Sequence, residues 1–489
     1  MSVNSDIHNN RWSTSVLKYG SWYLLSSVIT KGLGILLLPI YTKYLSPSEY
    51  GILQGLNSVA LFLPFILSLS LDSAFGRYYH EDKYDFKKLQ TLYSSVYWFV
   101  FIYGFVLLIA AFATSNLWLT DLLEVPVFPY AYLSFIPALL NQLALLGRTF
   151  LQQSLETKKS TTLDIISTLV NAGVSVALLV GLNMGVLSRL LGIFAGALFL
   201  FAYYHYYFRK IKLLEYTFSW ACLKKCLVYS IPLLPAMAGS WISGMSDRLV
   251  IAKYCSLASV GLYSLAYQLG QLLYIVGDAI TRVLGPLMMS GLVSDKEKSK
   301  SKISSSAYLM LIMMLFADIG LYLFADEFIH IFADEKYYEA AFFIPIFGFN
   351  YVLGMQQRFP VTIISYQKKT WVLSAGSILS AVVNLGLNVV FVPKYGYEFA
   401  VWASVAANLA YCLWAFYWGQ KYEHIDYYFG KYVLAFGVFL IFLFAAYEMK
   451  ELFTAISFVS ITLKVLFLIV CTGIFMFLYN KSIFKEIMA

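Results

Sequence analysis

Lys43-Tyr-Leu-Ser-Pro-Ser-Glu-Tyr-Gly51 returns later in the chain as Lys253-Tyr-Cys-Ser-Leu-Ala-Ser-Val-Gly261, with Lys, Tyr, Ser and Gly in register at an offset of 210. The same offset pairs Tyr19 with Tyr229, Leu24 with Leu234 and Gly34 with Gly244. It also pairs Arg148 with Arg358, and Lys158-Lys159 with Lys368-Lys369. A slip of three residues brings Val170-Asn171-x-Gly173 onto Val383-Asn384-x-Gly386. Apolar coincidences are common in a greasy chain, but these include polar and glycine positions. They point to an internal duplication.

The chain has 489 residues, of which 60% are hydrophobic, 18% aromatic and only 13% charged, with a mean hydropathy of +0.70. Soluble proteins carry roughly a quarter charged residues, so this composition excludes a water-soluble globule and predicts a polytopic membrane protein. Windows of about 20 mainly apolar residues fall near 20–41, 51–71, 93–113, 130–151, 162–182, 188–208, 229–251, 260–282, 304–325, 341–363, 371–392, 397–419, 431–447 and 455–479. These are spans 1 to 14. The expected fold is all-α, with about 14 transmembrane helices. Two parallel-repeat lobes of six helices each (1–215 and 216–427) are followed by two extra helices (428–489).

Charge sets the orientation. One set of connections holds 23 Lys and Arg, and the alternate set holds six. Basic loops stay cytoplasmic, so both termini are expected in the cytoplasm. The net charge of +8 then reflects that asymmetry, and no nucleic-acid partner is expected. The five cysteines and five histidines form no metal-ligand spacing, and no catalytic signature appears. No catalytic residue, metal or cofactor is expected, and the chain is not read as an enzyme.

Parallel repeats related by an axis along the membrane normal are a transporter plan, with the substrate between the two bundles. Polar side chains within spans are costly and mark a bundle interior or a wet cavity. Span 8 carries Ser264, Tyr267, Gln271, Tyr274, Asp278 and Arg282 at steps of three or four, one continuous helical face. Its repeat mate, span 2, carries Gln54, Asn57, Leu61, Pro64, Ser68 and Asp72. Span 1 adds Lys31, and span 7 adds Ser240, Gly244, Asp247 and Arg248. These residues predict a hydrated cleft lined by spans 1, 2, 7 and 8. Asp278 and Arg282 stand at i and i+4, where mutual neutralisation and a site role both remain open. Arg148 and Arg358 read as anchors near span ends. Asn384, Asn388 and Ser377 on span 11 read as helix-packing groups. Prolines at 232 and 235 are expected to bend span 7.

Tyr41-Thr-Lys-Tyr-Leu-Ser-Pro-Ser-Glu-Tyr-Gly51, Asp247-Arg-Leu-Val-Ile-Ala-Lys-Tyr254 and Val383-Asn-Leu-Gly-Leu-Asn-Val-Val-Phe-Val-Pro-Lys-Tyr-Gly396 resemble the polysaccharide-export flippases of the Wzx type. These belong to the multidrug/oligosaccharidyl-lipid/polysaccharide (MOP) superfamily, with a MATE-like fold. The resemblance implies transport of an undecaprenyl-diphosphate-linked oligosaccharide, an O-antigen or capsule repeat unit, from the inner to the outer leaflet by alternating access. It implies a bacterial inner-membrane location, and other membrane proteins of polysaccharide assembly as partners. It also implies a cationic cavity, whose nearest matches are Lys31, Arg248 and Arg282. A proton or sodium ion is the candidate coupling ion, with Asp247 and Asp278 as its candidate sites. A lipid II flippase, a multidrug or cation antiporter and a membrane polysaccharide polymerase are the alternatives.

Overall fold

The computed structural model describes residues 29–30, 32–452 and 457–478. Its backbone is helical throughout, and two compact units meet in sequence between Trp241 and Ile242. The first contains α1 (Leu38–Tyr44), α2 (Pro47–Ser68), α3 (Leu71–Asp82), α4 (Phe86–Ser115), α5 (Leu119–Leu123), α6 (Val127–Gln153), α7 (Thr157–Leu182), α8 (Val186–Lys210) and α9 (Trp220–Ser230). A 3-10 turn at Ile231–Leu233 leads into α10 (Leu234–Tyr254), which runs on into the second unit. Pro232 and Pro235, with no N–H to donate, interrupt span 7 here and split it into α9 and α10.

The duplicated passage that opens the sequence is a helix start. Ser46 caps α2: its hydroxyl accepts from the Glu49 amide (3.2 Å), and Glu49 accepts from the Ser46 amide (2.8 Å). That reciprocal pair is a capping box, and Pro47 supplies the pre-set first turn. The second copy repeats the device more simply. Ser256 accepts from the Ser259 amide at 3.1 Å, directly ahead of α11 (Leu257–Ser294).

Within the first unit, α7 and α8 pack closely through Gly192. A β-carbon there would lie 1.9 Å from Ser175 Oγ and 2.5 Å from the Asn171 carbonyl, so only glycine permits the approach. Buried Phe75, Tyr93 and Phe208 form an aromatic core at one end, with Phe150 against both Tyr93 and Phe208.

The second unit continues with α12 (Lys296–Leu323), α13 (Ala325–Phe332), a 3-10 segment (Glu335–Phe343), α14 (Ile344–Gln356), α15 (Arg358–Tyr366), α16 (Thr370–Tyr395), α17 (Glu398–Tyr422), α18 (Phe429–Leu452) and α19 (Phe458–Leu478). α11 has 38 residues, about 57 Å at 1.5 Å per residue. That exceeds a hydrocarbon core of about 30 Å, so the helix extends well beyond it. α18 and α19, which lie outside the repeat, pack on α12. They are also tied to α13 by two ion pairs, Lys450–Asp326 (2.9 Å) and Lys464–Glu327 (2.5 Å).

Eleven helices among the described residues are long and apolar enough to cross a membrane, with the interrupted spans 7 and 10 each taken as one. They coincide with spans 2 to 7 and 9 to 13. The described residues thus account for eleven of the about 14 expected spans and leave the full count open. Span 1 falls largely outside the described residues. α11 carries the polar stripe and is not among the eleven, and the apolar part of α19, Phe458–Ile474, is shorter than the rest.

Candidate functional site

A buried polar cluster of the second unit centres on Asp247 of α10, only 1% exposed. Tyr263 of α11 donates its hydroxyl to Asp247 Oδ2 (2.5 Å), and Ser404 of α17 donates to the same oxygen (3.0 Å). Asn388 of α16 donates its amide to Oδ1 (2.5 Å) and also contacts Asn384 Oδ1 (3.3 Å). The Asn388 Oδ1 atom has no hydrogen-bond partner. Three other helices thus converge on the α10 carboxylate, and each gives it a polar atom. Asn388 bonds to Asp247 of α10 and Asn384 to Ser404 of α17, which is how the helix-packing groups expected on span 11 act.

Arg248, next in sequence, is 3% exposed. Its Nη1 donates to the Gly244 carbonyl (2.9 Å), and its guanidinium lies 4.5 Å from the Tyr267 ring and 5.5 Å from that of Tyr263. Two aromatic faces attract the cation, and its Nε lacks a partner. Asp247 and Arg248 do not pair along the helix face, and Tyr263 serves both, its hydroxyl bonding to Asp247 and its ring facing Arg248.

Further along α11, Tyr274 donates to Asp278 (3.2 Å), and Arg358 of α15 donates to the Tyr274 hydroxyl (3.1 Å). Asp278 and Arg358 line a recess of about 350 Å³. Arg358, expected as an anchor near a span end, is exposed and bonds to Tyr274. The Tyr267 and Tyr274 rings also stand 5.9 and 5.6 Å from that of Tyr351. Much of the α11 stripe is therefore covered by α14 within its own unit, and Gln271 is half-buried.

In the first unit, Gln54 is half-buried and Asn57 exposed. Arg148, expected as an anchor near a span end, pairs with Asp164 of α7 at 2.5 Å. The repeat mates Asn171 and Asn384 have diverged. Asn171 accepts from Arg189, whereas Asn384 belongs to the carboxylate cluster. Lys31 lies outside the described residues, as does the side chain of Arg282.

Sequence reasoning missed Lys464, Glu327 and the role of Ser404. Their partners are 137 and 157 residues away in the chain, beyond the reach of any local spacing. The signal for Lys464 was its place within an otherwise apolar span.

Beyond the spans, Glu423 accepts from Lys296 (2.6 Å), Lys300 (2.8 Å) and Gln367 (3.2 Å). It joins the ends of α12 and α17 to the α15–α16 connection. Burial opposes its charge, but the hydrogen bonds and charges of the two lysines outweigh burial and hold its carboxyl below the ordinary value. A depressed carboxylate stabilises the fold above its unfolded pKa and ceases to do so as pH falls through the folded one. The melting-temperature advantage of the wild type over Glu423→Gln is therefore expected to be largest near neutral pH. It should shrink once the pH drops through and below the carboxylate range of about 4, as thermal melts of the purified protein would show.

A family model described as "Polysaccharide biosynthesis protein" matches residues 16–292, more than half of the chain. The chain belongs to that family. Among curated proteins, this polysaccharide biosynthesis family member is 26% identical to the succinoglycan biosynthesis transport protein ExoT of Rhizobium meliloti over 63% of its own length. The match spans 60% of that relative. It is 21% identical over 75% of its length to the Lsg locus putative protein 1 of Haemophilus influenzae, covering 89% of that protein. Among solved structures, lipid II flippase MurJ in an inward closed conformation superposes with a TM-score of 0.73 at 14% identity. The superposition covers 94% of this chain and 98% of that one. A MATE multidrug resistance transporter of the MOP superfamily, inward-facing, gives 0.59 at 14% identity, covering 81% and 94%. The all-α, MATE-like membrane fold expected from the sequence is thereby established.

Proposed function

We propose that this polysaccharide biosynthesis protein is a flippase for lipid-linked oligosaccharides. It moves undecaprenyl-diphosphate-linked repeat units of an O-antigen or capsule from the cytoplasmic to the outer leaflet of the bacterial inner membrane by alternating access. Family membership is the observation that carries this reading. The succinoglycan transport relative and the flippase superposition support it.

The physics suits that cargo. A diphosphate bared in hydrocarbon would cost on the order of tens of kcal/mol, whereas fixed donors can replace its lost hydration. Lys31, Arg248 and Arg282 are assigned to the phosphates. Outward passage of two negative charges is favoured by roughly 4–5 kcal/mol per 100 mV of inside-negative potential, so net transport requires no nucleotide. A proton or sodium ion resets the carrier at Asp247 or Asp278. Of the two, Asp247 has the richer oxygen surroundings, with Asn388 Oδ1 left unpartnered. Both termini face the cytoplasm.

Deleting the gene should strand lipid-linked repeat units on the cytoplasmic leaflet, detected by extracting the lipids and testing which leaflet's glycans a membrane-impermeant glycosidase reaches. Unchanged distribution in the deletion strain refutes the reading.

A further inference from the structure

The first unit contains a second recess, of about 490 Å³, among α6, α7 and α8. Its polar walls follow helical spacing. Asn141, Gln142 and Arg148 come from α6, Asp164 and Thr168 from α7, and Tyr204 from α8. The volume lies within the range of about 300–1,000 Å³ usual for small-molecule pockets.

Two features define what fits. Arg148 and Asp164 touch at 2.5 Å, and no other charged side chain is among the described lining residues. The guanidinium is thus already neutralised, and an incoming phosphate would meet the Asp164 carboxylate as well. Secondly, the uncharged polar walls are amides and hydroxyls, on Asn141, Gln142, Ser167 and Thr168. The recess therefore offers a carboxylate to accept, a guanidinium to donate, and two amides and two hydroxyls to do both. Vicinal sugar hydroxyls, neutral and each both donor and acceptor, match that inventory.

We propose that this recess is a saccharide subsite that reads one neutral sugar of the transported glycan. The inference deepens the flippase reading and rests on it for the identity of the glycan. Arg358, the repeat mate of Arg148, donates to Tyr274, which donates to Asp278, so in the second unit a phenol stands between the cation and the carboxylate.

The test uses the full-length protein in detergent micelles and saturation-transfer NMR with methyl glycosides of glucose, galactose and N-acetylglucosamine. Inorganic pyrophosphate serves as the competitor. At least one glycoside should bind, pyrophosphate should fail to displace it, and the Asn141→Ala/Gln142→Ala variant should bind it about tenfold more weakly. Asn141 is exposed and Gln142 half-buried, so the variant should fold. The subsite is overturned if no glycoside binds, if pyrophosphate displaces the sugar, or if the variant binds as the wild type does. The leaflet assay separates the two readings. No glycoside binding alongside stranded glycan in the deletion strain removes the subsite and keeps the flippase. Glycoside binding without stranded glycan does the reverse.

Discussion

Replacing Asp247 by alanine should both destabilise the protein and stop export. The substitution removes the acceptor for three buried donors, on Tyr263, Asn388 and Ser404. Hydrogen bonds inside membrane proteins average about 0.6 kcal/mol and reach about 1.7 kcal/mol, so losing three removes about 2–5 kcal/mol. Set against a total stability of about 5–15 kcal/mol, that is a large fraction. Asp247→Asn keeps the shape and deletes the charge, so it separates the two effects. A coupling role predicts that the asparagine variant melts close to the wild type yet fails to restore export in a deletion strain. If it restores export in full, the carboxylate is structural and coupling lies elsewhere. Thermal melts of purified protein and complementation are the two measurements.

The second large effect is expected at Lys464. With Glu327 it forms an ion pair at 2.5 Å in which both side chains are at most 10% exposed. Breaking a buried pair strands the surviving charge and costs about 3–5 kcal/mol. Lys464→Ala and Glu327→Ala should each lower the melting temperature sharply. Glu327→Leu combined with Lys464→Met should recover most of the loss, because apolar replacement of a whole pair is often neutral. The neighbouring Lys450–Asp326 pair is more exposed and its loss should cost far less, about 0–1 kcal/mol. The pairs explain how two helices outside the repeat are bound to the second unit. Single variants that melt like the wild type would show that apolar packing on α12 suffices.

The reach of sequence reasoning follows from the range of each interaction. Apolar windows are local, so most spans were legible, and the Ser46–Glu49 box was visible as a recurring passage before its geometry was known. The polar face of α11 was likewise visible from its steps of three and four. Which way that face points was not, because Tyr267 and Tyr274 meet Tyr351 only after α14 folds against them. Asp247 was singled out by the cost of a charge in a span. Its partners on α16 and α17 became recognisable only once the fold had brought residues 141 and 157 positions away into contact. Arg148 and Arg358 show the limit of repeat arguments: the register was conserved between the copies while the partners changed, to Asp164 in one unit and Tyr274 in the other.

The most direct measurement places the purified protein in vesicles that contain undecaprenyl-diphosphate-linked oligosaccharide in both leaflets. An impermeant glycosidase is added outside after an inside-negative potential is imposed. Flipping predicts that the protein exposes the inner pool, so digestion rises well beyond the outer half and falls back with Asp247→Ala. Digestion that halts at the outer half, with and without protein, would contradict the assignment.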